Sequence, residues 1–191
     1  MSMPHPPRPA KLVSGIFLKE QALFPKISGE LQAAFGGLDM VSPWMAFDYT
    51  PYYEKEMGAP LWRRMLAFKP LVEQDRLAEI KLATNAMEQA RAVEGRRRVN
   101  IDPGYLLLER FVLATGKNYT HRIYIGRGIY ADLTLIYKRG AYQALPWTYP
   151  DYADQPLRRF LLAVRRKYIV DLKGSVHIPV DRNMASSSDE T

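Results

Sequence analysis

The sequence predicts an α+β domain: a ferredoxin-like βαββαβ first half, extended by a C-terminal β-hairpin and closed by a helix. Three observations carry this. Short apolar stretches, alternating clearly over Leu61–Lys69, recur in the first hundred residues, and two helical-period stretches interrupt them. Two glycine-centred turns, Gly126-Arg127-Gly128 and Lys138-Arg139-Gly140, punctuate a second run of strand-like sequence. A last stretch repeats Leu157, Leu161, Val164 and Tyr168 at helical spacing.

Taken in order, residues 1–9 hold four prolines and predict a disordered, extended arm. Lys11–Leu18 predicts the first strand. Ala22–Phe35 predicts a helix, with Pro25 in its first turn and Gly36-Gly37 at its end. Met40–Phe47 predicts the second strand. Thr50, Pro51 and Gly58 supply the cap, first position and stop of one short helix. Leu61–Lys69 predicts the third strand, about 75–92 the longest helix, and Arg97–Ile101 the fourth strand. The apolar stretch that follows suits strand or helix. Leu107, Leu108, Phe111 and Val112 share a helical face, which predicts a short helix over Leu107–Thr115.

A three-residue hairpin loop at 126–128 places Arg122 opposite Asp132, Ile123 opposite Ala131, Tyr124 opposite Tyr130 and Ile125 opposite Ile129. The same register sets His121 against Leu133 on the apolar side and makes Arg122–Asp132 an exposed pair. A last strand follows near Tyr142–Leu145, then an extended aromatic segment, "LPWTYPDY", and a helix over Gln155–Leu172. Residues 10–174 are thus expected to form one domain, with a disordered tail over 175–191.

Composition narrows the function classes. With 47% hydrophobic and 25% charged residues over 191 positions, the chain can bury a sizeable core. It has no cysteine, which excludes disulfides and thiolate chemistry. No stretch reads as a signal peptide or membrane span, so a cytoplasmic protein with no membrane partner is expected. The net charge is +7; setting aside Arg8, Arg182, Asp181, Asp189 and Glu190 of the two tails raises it to +8 on the body. A basic body attracts anions at long range.

The sequence lacks the glycine-rich loop and Lys-Ser/Thr of a P-loop, a dinucleotide fingerprint and a G-x-S-x-G elbow. Its three histidines are His5, His121 and His177, two of them in the tails, which leaves little for a histidine metal site. Seven of the twelve tyrosines lie between Tyr119 and Tyr152, interleaved with Lys117, Arg122, Arg127, Lys138 and Arg139. Rings alternating with cations are a way to hold nucleic acid by stacking and charge, although tyrosine is also a good strand residue. Asn100 and Asp102 project from one face of the fourth strand, with Arg98. Asp48, near the end of the second strand, is a second carboxylate that could join Asp102 in holding a divalent cation. Alternatively, Asp102 caps a turn before Pro103.

"EIKLATNAME", "RRRVNIDPGYL", "THRIYIGRGIYADLTLIY" and "LPWTYPDY", in this order, resemble the bacterial and archaeal family known as domain of unknown function 4416, over about Lys11 to Leu172. The resemblance implies a small single-domain protein. Some members carry an automatic label of GTP-binding protein; this chain has neither the P-loop nor an Asn-Lys-x-Asp or Thr-Lys-x-Asp to read guanine. The motifs also contain Lys81, Asn85 and Asp151.

The expectation is a protein that binds an anionic ligand, such as a nucleotide or RNA. Lys117, Arg122 and Arg127 would meet phosphate, Trp147 or the tyrosines would stack, and Asn100 or Asp102 would set orientation. Two alternatives are a metal-assisted phosphoester hydrolase using Asp48 and Asp102, and a protein-interaction scaffold that displays "LPWTYPDY".

Overall fold

The first strand, β1 (Ala10–Leu18), is buried at all nine positions, because it has a strand on either side and a helical layer over each face. In the computed structural model, which describes residues 1–174, β1 pairs antiparallel with β4 (Trp62–Val72) and with β5 (Val99–Leu106). β2 (Leu38–Val41) pairs with the outer side of β4. The order β2-β4-β1-β5 is the ferredoxin-like arrangement expected from the βαββαβ pattern.

Two helices cover one face of this half. α1 (Phe24–Phe35) has Pro25 at its start and Gly36, at φ 92°, at its end. α3 (Leu77–Gln89) is shorter than the predicted 75–92, since 74–76 forms a separate 3₁₀ turn. Between this layer and the sheet lie Leu12, Ile16, Leu18, Ile27, Leu31, Leu66, Phe68, Ile80, Val99 and Ile101.

The predicted second strand is broken. Met40–Phe47 contains Ser42-Pro43, and Pro43 lacks the N–H a ladder requires, so pairing resumes only at β3 (Met45–Ala46) against Arg63 and Trp62. Thr50 does cap its turn, accepting a hydrogen bond from the Tyr52 N–H at 3.2 Å, and α2 (Glu54–Met57) ends at Gly58.

The predicted helix over Leu107–Thr115 is instead a strand. β5 runs through Asp102-Pro103-Gly104 to Leu106, turns, and returns as β6 (Arg110–Thr115). Phe111, Val112, Leu113 and Ala114 are all buried, because both faces of β6 are covered. A strand buried on both faces shows an unbroken apolar run with no period of two, which is why it imitates a helix in the sequence. Asp102 consequently sits within a strand rather than capping a turn.

The extension continues β6-β8-β7, with β7 (Arg122–Gly126), β8 (Ile129–Lys138) and β9 (Ala141–Ala144). Arg122–Asp132, Ile123–Ala131 and Tyr124–Tyr130 pair as the register requires, but Gly126, not Ile125, faces Ile129. The hairpin loop is therefore two residues, Arg127 and Gly128, both at positive φ, with a bulge at Ile125. Arg139-Gly140 makes a second tight turn with the same signs.

α5 (Gln155–Gly174) closes the other face of the sheet. Its Leu157, Leu161, Val164 and Tyr168 meet Val13, Met65 and Ala67 of the first half and Phe111, Leu135 and Tyr142 of the extension. Below its end, Lys11 is fully buried and bonded to Asp39 of β2, Asp171 of α5 and the Lys69 carbonyl. Residues 1–9 have no regular structure, although the Pro9 carbonyl accepts the Tyr168 hydroxyl at 2.6 Å. The predicted tail over 175–191 lies outside the described residues.

Candidate functional site

Register aligns positions of six strands on one sheet face. Arg63, Phe17 and Asn100 pair across β4, β1 and β5; Gly15 pairs with Asp102; Gly104, Leu113, Asp132 and Arg122 pair across β5, β6, β8 and β7. α5 covers one end of this face. Phe47, Met57 and Leu61 pack over Phe17 at the other. Between them lie the side chains of interest.

The inner part holds two polar groups. Arg63, only 2% exposed, pairs with Asp151 of α4 (Pro150–Ala153), and its guanidinium lies 4.4 Å from the Tyr152 ring centre. Gly15 makes room for this: a Cβ there would lie 2.8 Å from Arg63 Nη2 and 3.0 Å from the Tyr152 hydroxyl. Arg97, not the predicted Arg98, joins Asn100, donating to its Oδ1 at 2.8 Å and to both Glu56 oxygens at 2.7 Å. Those bonds hold Glu56 below its ordinary carboxylate range. Arg98 leaves this face for Glu20.

β5 and β6 pair only over Gly104–Leu106, so the β5 backbone at Ile101 lacks a strand partner on that side. α3 supplies one from side chains. Lys81 donates to the Ile101 carbonyl at 2.8 Å, and Glu88 accepts the Ile101 N–H at 2.6 Å. Burial raises the Glu88 pKa despite Lys81 and Arg97 nearby. Asn85, on the same helix, is half-buried. Asp102 remains 28% exposed at the fork where the strands part, 3.9 Å from Lys81.

The outer part is aromatic and basic. Arg122 and Asp132 were expected as an exposed pair; they are 8% and 2% exposed, joined at 2.8 Å. Arg122 also donates to the Lys117 carbonyl at 2.9 Å and the Tyr149 hydroxyl at 2.5 Å, and lies 4.7 Å from the Tyr119 ring centre. It therefore spends its charge on positioning the loop that bears Lys117. Lys117 is exposed, with its ammonium 4.5 Å above the Tyr52 ring. Among the described residues it forms no ion pair.

"LPWTYPDY" was expected to be extended; it is a turn leading into α4, for a definite reason. Between the ends of β7 and β9, Leu133 and Thr134 of β8 have no strand beyond them. Trp147 Nε1 donates to the Leu133 carbonyl at 2.8 Å and Thr148 Oγ1 to the Thr134 carbonyl at 2.5 Å. The Trp147 ring is thus fixed by its hydrogen bond yet 39% exposed. His121 does not enter the apolar side. It stacks on Trp147 with ring centres 5.1 Å apart, continues to Tyr119 at 6.3 Å, and has Nε2 3.3 Å from Asp132 Oδ2.

Of the residues singled out in the sequence, Asn100, Asp102, Lys117, Arg122 and Trp147 share this face. The two parts meet at Tyr52-Tyr53: the Tyr53 pKa is raised chiefly by burial, and also by Asp102 and Tyr149 on either side. Arg127 is elsewhere, on the hairpin tip where its charge reaches Glu79 of α3. Asp48 is exposed beyond β3, and among the described residues no three His, Cys, Asp or Glu side chains gather as a metal site. No helix among those residues is long and apolar enough to cross a membrane. Two clefts of about 260 Å³ lie away from this face, one under Pro7 and Arg8, the other between Leu23, Lys26 and Val93.

Sequence reasoning missed Arg97, Glu56 and Arg63. Arg97 and Glu56 lie 41 positions apart, and Arg63 reads as an ordinary member of an alternating strand, so no local signal marks them. No curated protein and no solved structure matches the chain. A family model described as a domain of unknown function (DUF4416) matches residues 8–168, from the end of the arm into α5, and the chain belongs to that family.

Proposed function

We propose that this face binds an anionic ligand that carries a ring system, of the nucleotide or RNA class. The observation that carries the reading is Lys117: an exposed ammonium without a carboxylate partner among the described residues, set over Tyr52 and beside the Tyr119–His121–Trp147 stack. A phosphate takes the ammonium and a base takes a ring face. Arg122 acts as a positioning residue, since Asp132 already neutralises it. Asp102, part-exposed at the strand fork, is the acceptor available to a base edge.

The test is retention of the full chain on RNA and nucleotide resins at low ionic strength, followed by a salt gradient. Binding that weakens with salt, and a slope of log affinity against log salt reduced by about one unit in Lys117→Ala, agree with the proposal. Absence of salt-dependent retention on every resin ends it.

A further inference from the structure

Resting on that reading, we infer that the ligand is a single-stranded polynucleotide, held across at least one base–phosphate–base step, rather than a mononucleotide. The argument is the order of groups along the face. Tyr52, 60% exposed, lies on one side of Lys117, 4.5 Å from its ammonium. At the backbone end of the same residue, Arg122 holds the Lys117 carbonyl and lies over the Tyr119 ring, from which the stack continues through His121 to Trp147. Ring, cation, ring is the order of base, phosphate, base along one strand, and a mononucleotide uses only half of it.

Each ring is held in place before any ligand arrives. Trp147 is fixed by the Leu133 carbonyl, Tyr149 by Arg122, and the Lys117 loop by Arg122 through the Lys117 carbonyl. Tyr52 follows a capped turn and packs edge-on against Tyr53 at 4.9 Å. Platforms fixed in this way lose little side-chain entropy on binding. A duplex fits poorly, since its base faces are stacked on one another and closed to these rings. Among the described residues Asp102 is the acceptor assigned to a base edge, and the platforms themselves bind by ring faces, so weak sequence preference is expected.

The experiment is fluorescence anisotropy on the full chain with labelled decamers of RNA and of DNA, competed by the matching duplex and by uridine and adenosine monophosphates. At least one single-stranded decamer is expected to bind, with monophosphates at least a hundredfold weaker. Tyr52→Ala is expected to weaken the decamer about tenfold with unchanged melting of the protein, and Trp147→Ala to weaken it about tenfold while also lowering the melting temperature, since it frees the Leu133 carbonyl. The RNA and DNA arms identify the sugar. A monophosphate that competes within about threefold of the decamer, or a Tyr52→Ala variant that binds the decamer as the parent does, overturns this inference and leaves the nucleotide reading standing. Failure of every probe to bind removes both.

Discussion

Glu88 accepts the backbone N–H of Ile101, while Lys81 on the same helix serves the Ile101 carbonyl, so two side chains replace the missing strand beside β5. Glu88→Ala leaves that buried N–H without a partner. A loss of about 1–3 kcal/mol is expected in urea unfolding, and Glu88→Gln, which keeps an acceptor, is expected to lose less. The pH dependence has a definite sign. With the folded pKa raised by burial, the group favours folding most below its unfolded value, and this advantage is lost as pH rises through the folded pKa. Glu88→Gln removes that decline, visible as a flatter stability profile above pH 4.5.

Two glycines in the sheet differ in what surrounds them. A Cβ on Gly104 runs into the Val112 backbone carbonyl, whereas on Gly15 it meets the side-chain ends of Arg63 and Tyr152. Gly104→Ala is expected to lower the melting temperature more than Gly15→Ala, because a ladder yields less readily than a guanidinium. Overpacking of this kind costs about 1–3 kcal/mol, or about 2–4 °C per kcal/mol at this chain length. Equal shifts from the two variants contradict the account.

Lys11→Met removes the buried cation between Asp39 and Asp171 and leaves them only the more exposed Lys167. A loss of about 3–5 kcal/mol is expected at pH 7 by thermal or denaturant unfolding. Burial pushes Asp171 up, but hydrogen bonds from Lys11 and Lys167 outweigh it and hold it below the ordinary range. Its contribution is therefore present above its unfolded pKa and lost as pH falls through the lowered folded value. The gap between Lys11→Met and the parent should narrow below about pH 3.8.

Asp154 joins the start of α5 to Tyr49, accepting from the Gln155 N–H at 2.8 Å and the Tyr49 hydroxyl at 2.6 Å. Burial first, then this bond, pushes the Tyr49 pKa up to about 12. Asp154→Ala should bring the Tyr49 titration, followed by NMR of ring-labelled tyrosine, part of the way back toward 10. It should also cost about 1 kcal/mol through the two hydrogen bonds lost.

The ferredoxin-like half was legible because its strands are short apolar stretches between polar bounds and its helices carry clear ends: Pro25 with Gly36 for α1, Thr50 with Gly58 around α2. β6 was not, because Phe111–Ala114 is covered on both faces and shows no alternation. Three hairpin pairs were readable from matched chemistry, yet the bulge at Ile125 was not, since Gly-Arg-Gly permits loops of two or three residues. Strand alternation puts Asn100 and Asp102 on one face of β5, but Lys117 and Trp147 lie on loops whose course no strand period gives. The fate of each charge was not legible either. Whether Arg122 meets solvent or Asp132 depends on Tyr149 and the Lys117 loop, which only the tertiary arrangement brings over it.

β5 is at once the last strand of the βαββαβ half and the first strand of the extension, and α5 lies across both. The extension is therefore no detachable module. A chain cut after Leu106 would lose the closing helix along with Phe111, Leu135 and Tyr142 and so uncover Val13, Met65 and Ala67 of the first half; the two halves are expected to melt together, as one event, whichever probe follows them.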